Sequence, residues 1–274
     1  MWRDVAGAIQ ALGVRWGLFM LVKAELKHAA AILAVLILMQ FALFPDRALA
    51  AGAAYQVDTA DVGEPGNCKV ESWASFAKSG DLIASSSPDC VVSIFGKAID
   101  ISSQFSRFRS DDEWGTGVFP KAKMNLIPTA IGQWGVAVSS STAINLITGD
   151  VAAWFVTMPA TLRVSDTLRF NVNVGYARDR NVNRDYMTYG FGFDLRTPNN
   201  VWTLTGEVFG IAGAITEEQE RGQIRPRWQV GLRWRPIDEF NLDVIYGRNL
   251  TGEESNWITV ATVFRFKVGG KGEK

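Results

Sequence analysis

The stretch Leu168-Arg-Phe-Asn-Val-Asn-Val-Gly-Tyr176 decides the fold, because apolar and polar residues alternate along it without interruption. Its even-numbered residues are leucine, phenylalanine, valine, valine and tyrosine, whereas its odd-numbered residues are arginine, asparagine, asparagine and glycine. Successive side chains of a β-strand point to opposite faces of the sheet, so this segment predicts a strand with one apolar and one polar face. A tilted strand needs about 9 to 11 residues to cross a bilayer, which matches its length.

The same alternation recurs in Arg227-Trp-Gln-Val-Gly-Leu-Arg-Trp234 and from Phe240 to Gly247. Twelve such segments can be marked along the chain: 68–77, 82–94, 98–108, 116–126, 134–145, 151–163, 168–178, 186–196, 200–211, 225–235, 240–248 and 256–266. An even number of strands lets an antiparallel barrel close with both chain ends on the periplasmic side. We therefore predict an all-β protein, a closed antiparallel transmembrane β-barrel of about 12 strands.

The connections between the predicted strands differ on the two sides of this barrel. Those after the even-numbered segments are short, as in Ser165-Asp-Thr167 and Thr197-Pro-Asn199. Several of the others are longer and charged, as in Asp179-Arg-Asn-Val-Asn-Arg184 and residues 212–224. Short periplasmic turns and longer outer loops are the arrangement of outer-membrane barrels.

A soluble β-sandwich is the competing interpretation, because it also consists of alternating strands and turns. The position of the aromatic residues argues against it. Tryptophans and tyrosines fall mostly near segment ends, where interfacial girdles would need them: Trp73, Trp134, Trp154, Trp202, Trp228, Trp234, Trp257, Tyr176, Tyr186, Tyr189 and Tyr246.

The N-terminal part of the chain has a different character. An apolar run from Ala29 to Phe44 follows Lys23 and Lys27 and precedes the small-x-small pattern Ala48-Leu49-Ala50. This pattern predicts a signal peptide that is cleaved after Ala50. A retained transmembrane anchor is the alternative, but sixteen residues are fewer than the roughly 20 that span a bilayer.

These observations divide the chain into consecutive segments. We predict a signal peptide at 1–50, an N-terminal periplasmic segment at 51–67, the transmembrane barrel at 68–266 and a C-terminal tail at 267–274. Met20 offers an alternative translation start, which would make residues 1–19 an over-extension. Cleavage removes five of the 28 basic and three of the 28 acidic residues, which leaves 23 against 25 and gives no footprint for nucleic acid.

The two cysteines, Cys68 and Cys90, are placed for a disulfide. A hairpin centred on Ser79 puts residue 68 directly opposite residue 90, and cross-strand Cβ atoms lie within disulfide reach. Exported proteins usually keep such a pair oxidised, which favours a structural disulfide over the alternative of a redox switch.

Several segments also resemble an uncharacterised family of outer-membrane proteins common in rhizobia-like bacteria. The resemblance is carried by Gly66 to Trp73, Pro120 to Pro128, Ile237-Asp238, Asp243 to Glu254 and Asn256 to Thr259. It extends over the whole mature chain and implies a barrel grouped with channels, without an established substrate. One feature departs from outer-membrane barrels, which commonly end on an aromatic residue that the insertion machinery reads. Here the last predicted strand ends at Phe266 and eight residues follow, so either the tail is tolerated or the signal is internal.

The sequence offers little support for catalysis. His28 is the only histidine and is removed with the signal peptide, which excludes imidazole as base or metal ligand. Carboxylate clusters such as Asp111-Asp112-Glu113 and Glu253-Glu254 lie in predicted loops, where solvation is expected rather than acid–base chemistry. We therefore predict no catalytic residues, no metal site and no cofactor, and a barrel-embedded enzyme is the last alternative.

The polar faces of the predicted strands define the lumen. Assigning them inward gives nine basic residues against three acidic ones: Lys121, Lys123, Arg163, Arg169, Arg196, Arg227, Arg233, Arg235 and Arg265 against Asp194, Glu207 and Asp243. Such a surplus cannot be paired, and unpaired buried charge is costly without water, which favours a hydrated lumen. Arg163, Arg196, Arg235 and Arg265 lie near strand ends and are discounted, so the predicted pore lining is Lys121, Lys123, Arg169, Asp194, Glu207, Arg227, Arg233 and Asp243.

This lining predicts an outer-membrane channel of a Gram-negative bacterium that passes small polar solutes passively and prefers anions. The alternative is a closed structural or adhesive barrel whose lumen is sealed by salt bridges. The expected partners are outer-membrane lipid and lipopolysaccharide, the barrel-insertion machinery and small solutes.

Overall fold

The computed structural model describes residues 54–110, 113–181, 183–212, 226–250 and 256–268. Within these ranges the chain forms twelve strands: β1 Asn67–Ala77, β2 Leu82–Ile94, β3 Lys97–Ser110, β4 Glu113–Ile127, β5 Trp134–Asn145, β6 Val151–Arg163, β7 Leu168–Asp179, β8 Arg184–Arg196, β9 Trp202–Ala212, β10 Arg227–Ile237, β11 Phe240–Asn249 and β12 Asn256–Lys267. Each strand pairs with its sequence neighbours, and β1 closes the barrel against β12. The predicted antiparallel barrel of 12 strands is confirmed.

The strands differ from their predicted bounds mainly by being longer. In the β3–β4 hairpin the ladder continues to the pair Ser110 and Glu113, beyond the alternating part of either strand. Backbone pairing does not require an apolar face, so it extends past the lipid-facing band into the loops. Among the described residues, no helix is long and apolar enough to cross a membrane.

The two faces of the wall are inverted relative to a soluble protein. Large apolar side chains point outward and are exposed, as with Val174 at 51% and Phe191 at 48%. Polar side chains point inward and are buried, as with Asn171 at 3% and Asn173 at 7%. An apolar outer band around a polar interior is the pattern of a membrane-spanning barrel.

Two of the predicted girdle tryptophans lie elsewhere. Trp73 packs against a buried cluster that includes Tyr55 and Ile245 inside the barrel. The Trp257 ring lies over Gly247, where an added Cβ would come within 2.1 Å of it. Both residues belong to the inward-facing set of their strands, so their position near a strand end did not place them in a girdle.

The predicted hairpin and disulfide at the start of the barrel are confirmed. Cys68 of β1 pairs with Cys90 of β2 in the ladder. The two residues are joined by a disulfide, with 4.1 Å between their Cα atoms.

The predicted N-terminal periplasmic segment, 51–67, precedes β1. The structure places its residues 55–61 among the inward-facing side chains of the barrel. The predicted signal peptide at 1–50 lies outside the described residues, as do the acidic loop residues Glu217, Glu218, Glu220, Glu253 and Glu254 and the tail beyond residue 268.

Candidate functional site

The lumen is crossed by a segment that we call the strap, residues Tyr55–Asp61. Its last residue, Asp61, contacts β6 and β7 near the ends that are joined by the short turn 164–167. Asp58 contacts β4, and Val57 contacts β9. Tyr55 contacts β11. The strap therefore runs from one side of the wall to the other.

Asp58 binds two lysines of β4. Its carboxylate lies 2.6 Å from Nζ of Lys121 and 3.0 Å from Nζ of Lys123. The two lysines are two residues apart on one strand, so their side chains share the inward face. Lys123 also donates a hydrogen bond to the carbonyl oxygen of Thr59 at 3.3 Å.

Asp61 binds two arginines across the β6–β7 ladder. Its Oδ2 atom accepts hydrogen bonds from Arg163 at 3.1 Å and from Arg169 at 2.9 Å. Arg163 and Arg169 are directly opposite each other in the ladder. Arg169 also donates through Nε to Asp194 of β8 at 2.6 Å, which links the strap to a carboxylate of the wall.

The backbone of the strap is also bound to the wall. The amides of Gln56 and Val57 donate to the Glu207 carboxylate at 3.0 and 3.2 Å. The amide of Ala60 donates to Oγ1 of Thr161 at 2.9 Å, and its carbonyl oxygen accepts from Asn125. Backbone N–H and C=O groups that are buried away from water need hydrogen-bond partners. Side chains of the wall supply these partners to the strap, as the backbone of a neighbouring strand would.

Tyr55 anchors the start of the strap. Its hydroxyl donates to Asp243 at 3.1 Å, and the same carboxylate accepts from Nε of Arg233 at 2.8 Å. The Arg233 guanidinium carbon lies 5.5 Å from the centre of the Tyr55 ring, within the range of a cation–π contact. The ring packs with Ile245 and Ala261 in a small apolar cluster inside the barrel.

Glycines of the wall make room for the strap. A Cβ added at Gly190 would lie 2.8 Å from Cγ2 of Val57, and one added at Gly231 would lie 2.2 Å from the Tyr55 hydroxyl. A side chain at either position would displace the strap or be displaced by it.

The electrostatic surroundings fix the protonation of the strap. Burial alone would raise the pKa of the Asp58 carboxyl, but Lys121 and Lys123 outweigh it and hold that pKa below its usual value. Burial and the guanidinium groups of Arg169 and Arg163 act on Asp61 in the same way, and its pKa is also lowered. Burial, together with the Asp243 carboxylate, raises the pKa of the Tyr55 hydroxyl. Both carboxyls are therefore charged at neutral pH, and the phenol keeps the proton that it donates.

The structure brings most of the predicted pore lining into contact with the strap. Direct contacts with the strap are made by Lys121, Lys123, Arg169, Glu207, Asp243 and, through its cation–π contact with Tyr55, Arg233. Asp194 is linked to the strap through Arg169. Arg227 is half-buried at the loop end of β10 and has no ion pair with another described residue.

Two of the discounted arginines belong to the interior. Arg163 binds the strap, and Arg265 is only 2% exposed, so neither points to headgroups or solvent. Arg163 is the last residue of β6 and Arg265 lies two residues before the end of β12, yet both side chains are held inside the barrel, so proximity to a strand end was a poor guide.

The predicted charge surplus was overestimated, because it omitted the first three strands and the strap. Glu71, Asp89 and Asp100 are buried, and Lys69 bridges the first two at 2.7 and 3.1 Å. Together with the two strap carboxylates, they add five acidic groups and one basic group to the tally. The β1 segment does alternate polar residues at Lys69 and Glu71, which was the available signal. Among the described residues, no group of histidine, cysteine or acidic side chains is placed to hold a metal ion.

Comparison with known proteins gives a family and a set of structural relatives. The family described as uncharacterised conserved protein UCP029691 matches residues 39–266. No curated protein matches the chain.

The structural relatives share the barrel fold at low sequence identity. The KdgM porin in complex with disordered oligogalacturonate has a TM-score of 0.53 and 10% identity, over 72% of this chain and 99% of that chain. The NanC porin has a TM-score of 0.53 and 8% identity, over 71% of this chain and 98% of that chain. An outer-membrane channel from Pseudomonas putida F1 has a TM-score of 0.52 and 11% identity, over 82% of this chain and all of that chain (100%). Likeness at these identities concerns the fold.

Proposed function

Since the chain belongs to the family of uncharacterised conserved proteins UCP029691, whose description names no activity, we propose its function from the barrel itself: a porin-like channel for small polar solutes in the outer membrane of a Gram-negative bacterium. The observation that carries this proposal is the lumen, which is lined by buried polar and charged side chains beneath an apolar outer face. A protein of this kind contacts outer-membrane lipid and lipopolysaccharide and is placed there by the barrel-insertion machinery.

The polar lumen supports a channel more than a sealed core. A wall of twelve strands encloses more space than the eight-stranded barrels that side chains can fill. Here part of that space is taken up by the strap, a separate segment that enters from the periplasmic end. Because the strap is not part of the ladder, it can leave the lumen without breaking the barrel.

We propose that the open channel prefers anions. The strap supplies two of the carboxylates that neutralise the basic side chains of the wall. When it leaves, four basic groups face the lumen with one fewer partner each, and positive groups in a narrow low-dielectric path raise the local concentration of anions. Arg227, which has no ion pair among the described residues, adds to this preference near the loop end.

A closed structural barrel is the second candidate. The specific observation in its favour is the strap itself, whose side chains and backbone are bonded to strands on several sides of the lumen. A strap that never leaves would stiffen the barrel and block passage.

Single-channel conductance separates these functions. The protein purified from the membrane is inserted into a planar bilayer, and the current is compared with that of a variant lacking residues 54–61. We expect discrete conductance steps that increase when the strap is removed, and a reversal potential in a salt gradient that reports anion preference. The variant Arg227→Glu should reduce that preference.

A barrel that remains silent with and without the strap would favour the structural function. Cation preference in the strap-free variant would show that the lumen charges do not control permeation. Heat-modifiable migration in gels serves as the folding control for each variant.

A further inference from the structure

We infer that the four basic side chains held by the strap carboxylates form a binding site for a small polar solute with two carboxylate groups. We call this set the basic site: Lys121, Lys123, Arg163 and Arg169. Asp58 and Asp61 occupy it as a tethered substitute for that solute. The inference rests on the proposed channel function, because a solute reaches the basic site only through the lumen.

The basic site has two halves, each of which holds one carboxylate. The lysine half holds Asp58 at 2.6 and 3.0 Å. The arginine half holds Asp61 at 3.1 and 2.9 Å. Three residue steps separate the two aspartates along the strap, so their Cα atoms are at most about 10 Å apart. The carboxylates lie at the ends of the short aspartate side chains, so a solute that satisfies both halves joins its two carboxylates by a short chain, with a span on the order of 10 Å.

The strap leaves the arginine half incompletely satisfied. Asp61 contacts Arg163 only through Nη2. The Nε atom of Arg163 is buried and has no hydrogen-bond partner in the part of the chain that the structure describes. A guanidinium can hold a carboxylate by two parallel hydrogen bonds. A free solute can turn to make both bonds, whereas Asp61 is restrained by the backbone on either side.

Polar side chains lie between the two halves of the basic site, and they indicate the chemistry of the chain that connects the two carboxylates of the solute. Thr161 accepts from the Ala60 amide, and Asn125 donates to the Ala60 carbonyl oxygen. When the strap leaves, these groups are available to hydroxyl groups of a ligand. The geometry thus favours a hydroxylated dicarboxylate over an aliphatic one, since apolar carbon would leave the Asn125 amide without this partner and the Thr161 hydroxyl with only its bond to Asn171.

Glucarate and gluconate provide a matched pair of probes. Both are linear six-carbon polyhydroxy acids, and they differ in that glucarate carries a second carboxylate. Binding of each radiolabelled acid is measured by equilibrium dialysis against the membrane-purified protein at constant ionic strength. The proteins compared are the wild type, Asp58→Asn with Asp61→Asn, and Glu64→Gln, which removes an exposed carboxylate next to the strap.

We expect the double variant to bind glucarate at least about tenfold more tightly than the wild type, because the apparent affinity is proportional to the fraction of sites that the seated strap leaves free. The same variant should prefer glucarate to gluconate, and adding Arg169→Gln should abolish that preference. Glu64→Gln should bind like the wild type.

The outcomes distinguish this inference from the channel function. Equal binding of the two acids by the double variant would overturn the inference, even if the protein conducts. Selective binding of glucarate by a protein that never conducts would support the basic site and contradict the channel. A gain in affinity for Glu64→Gln equal to that of the double variant would also overturn the inference, because it would trace the effect to net charge.

Discussion

Replacing Asp58 with asparagine removes a charge that holds the strap while nearly preserving the shape of the side chain. The carboxylate contacts Lys123, whose side chain is 7% exposed, and Lys121, whose side chain is 35% exposed. A shielded hydrogen bond between charged groups contributes about 1.5 to 3 kcal/mol, and an exposed ion pair contributes about 0.2 to 1 kcal/mol. The lower end of the first range and the middle of the second give about 2 kcal/mol for the pair of contacts.

That free energy corresponds to an increase of about 30-fold in the ratio of free to seated strap. Asparagine retains one acceptor oxygen for a lysine, so about 10- to 30-fold is the expected range. Glu64→Gln should leave the ratio unchanged, because Glu64 is exposed and lies outside the strap.

A cysteine in place of Val57 reports the free strap, since this residue is only 2% exposed in the lumen. The two native cysteines are joined in a disulfide and do not react. Labelling by methyl methanethiosulfonate, which is small and uncharged, is followed by mass spectrometry. When reclosing is faster than labelling, the rate is proportional to the free fraction. Equal labelling rates for Val57→Cys alone and for Val57→Cys combined with Asp58→Asn would refute the role of these ion pairs.

Three further predictions concern the same interior. Val57→Cys with Gly190→Cys should form a disulfide, because the Cβ of Val57 lies 3.7 Å from the position of an added Cβ at Gly190. The conductance of this variant should be low when the disulfide is formed and should recover when a reductant is added. The reductant should leave the conductance of the wild type unchanged. Alkylation without reduction should leave Cys68 and Cys90 unmodified, and free thiols there would contradict the disulfide. Conductance should rise as the pH falls below about 4, because the lowered pKa values of the strap carboxyls stabilise the seated strap at pH values above the ordinary carboxyl pKa, and this stabilisation is lost on acidification. A rise near neutral pH would point to a different group.

The barrel could be predicted from sequence because the alternation of apolar and polar residues within a strand shows which side chains face lipid and which face the lumen. From Leu168 to Tyr176 every second residue is apolar, and the residues between them face the lumen. The position of Cys68 opposite Cys90 follows from a single hairpin turn. Such inferences require only period-two alternation and short connections.

The strap could not be predicted in this way, because nothing local determines its partners. Asp58 and Asp61 stand in a short segment without strand periodicity. Their partners lie more than sixty residues further along the chain, at Lys121 and Arg169. Only the closed wall brings those side chains together, and the wall must be known before the strap can be placed in it.

The lumen charges of β1–β3 were a different kind of omission. Glu71, Asp89 and Asp100 alternate with neighbours of mixed polarity, so their strands do not display a clean apolar stripe. The facing of these residues becomes clear only from the ladder, in which Lys69 pairs with Asp89 and Asp100 pairs with Lys123. The register between strands shows that these side chains face the lumen, which the sequence pattern alone did not show.

The composition of the lumen bears on whether the strap leaves. A barrel that only has to stay closed gains little stability from buried ion pairs, because the cost of desolvating the charges offsets most of their attraction. Apolar side chains of similar volume often give equal or greater stability. Here the strap carboxylates are instead bound to lysines and arginines, and in the part of the chain that the structure describes the Nε donor of Arg163 has no hydrogen-bond partner. These are contacts that water and a soluble anion can replace. A strap bound by replaceable contacts, inside a wall that stays closed by its own ladder, is suited to exchange with a charged solute rather than to permanent sealing.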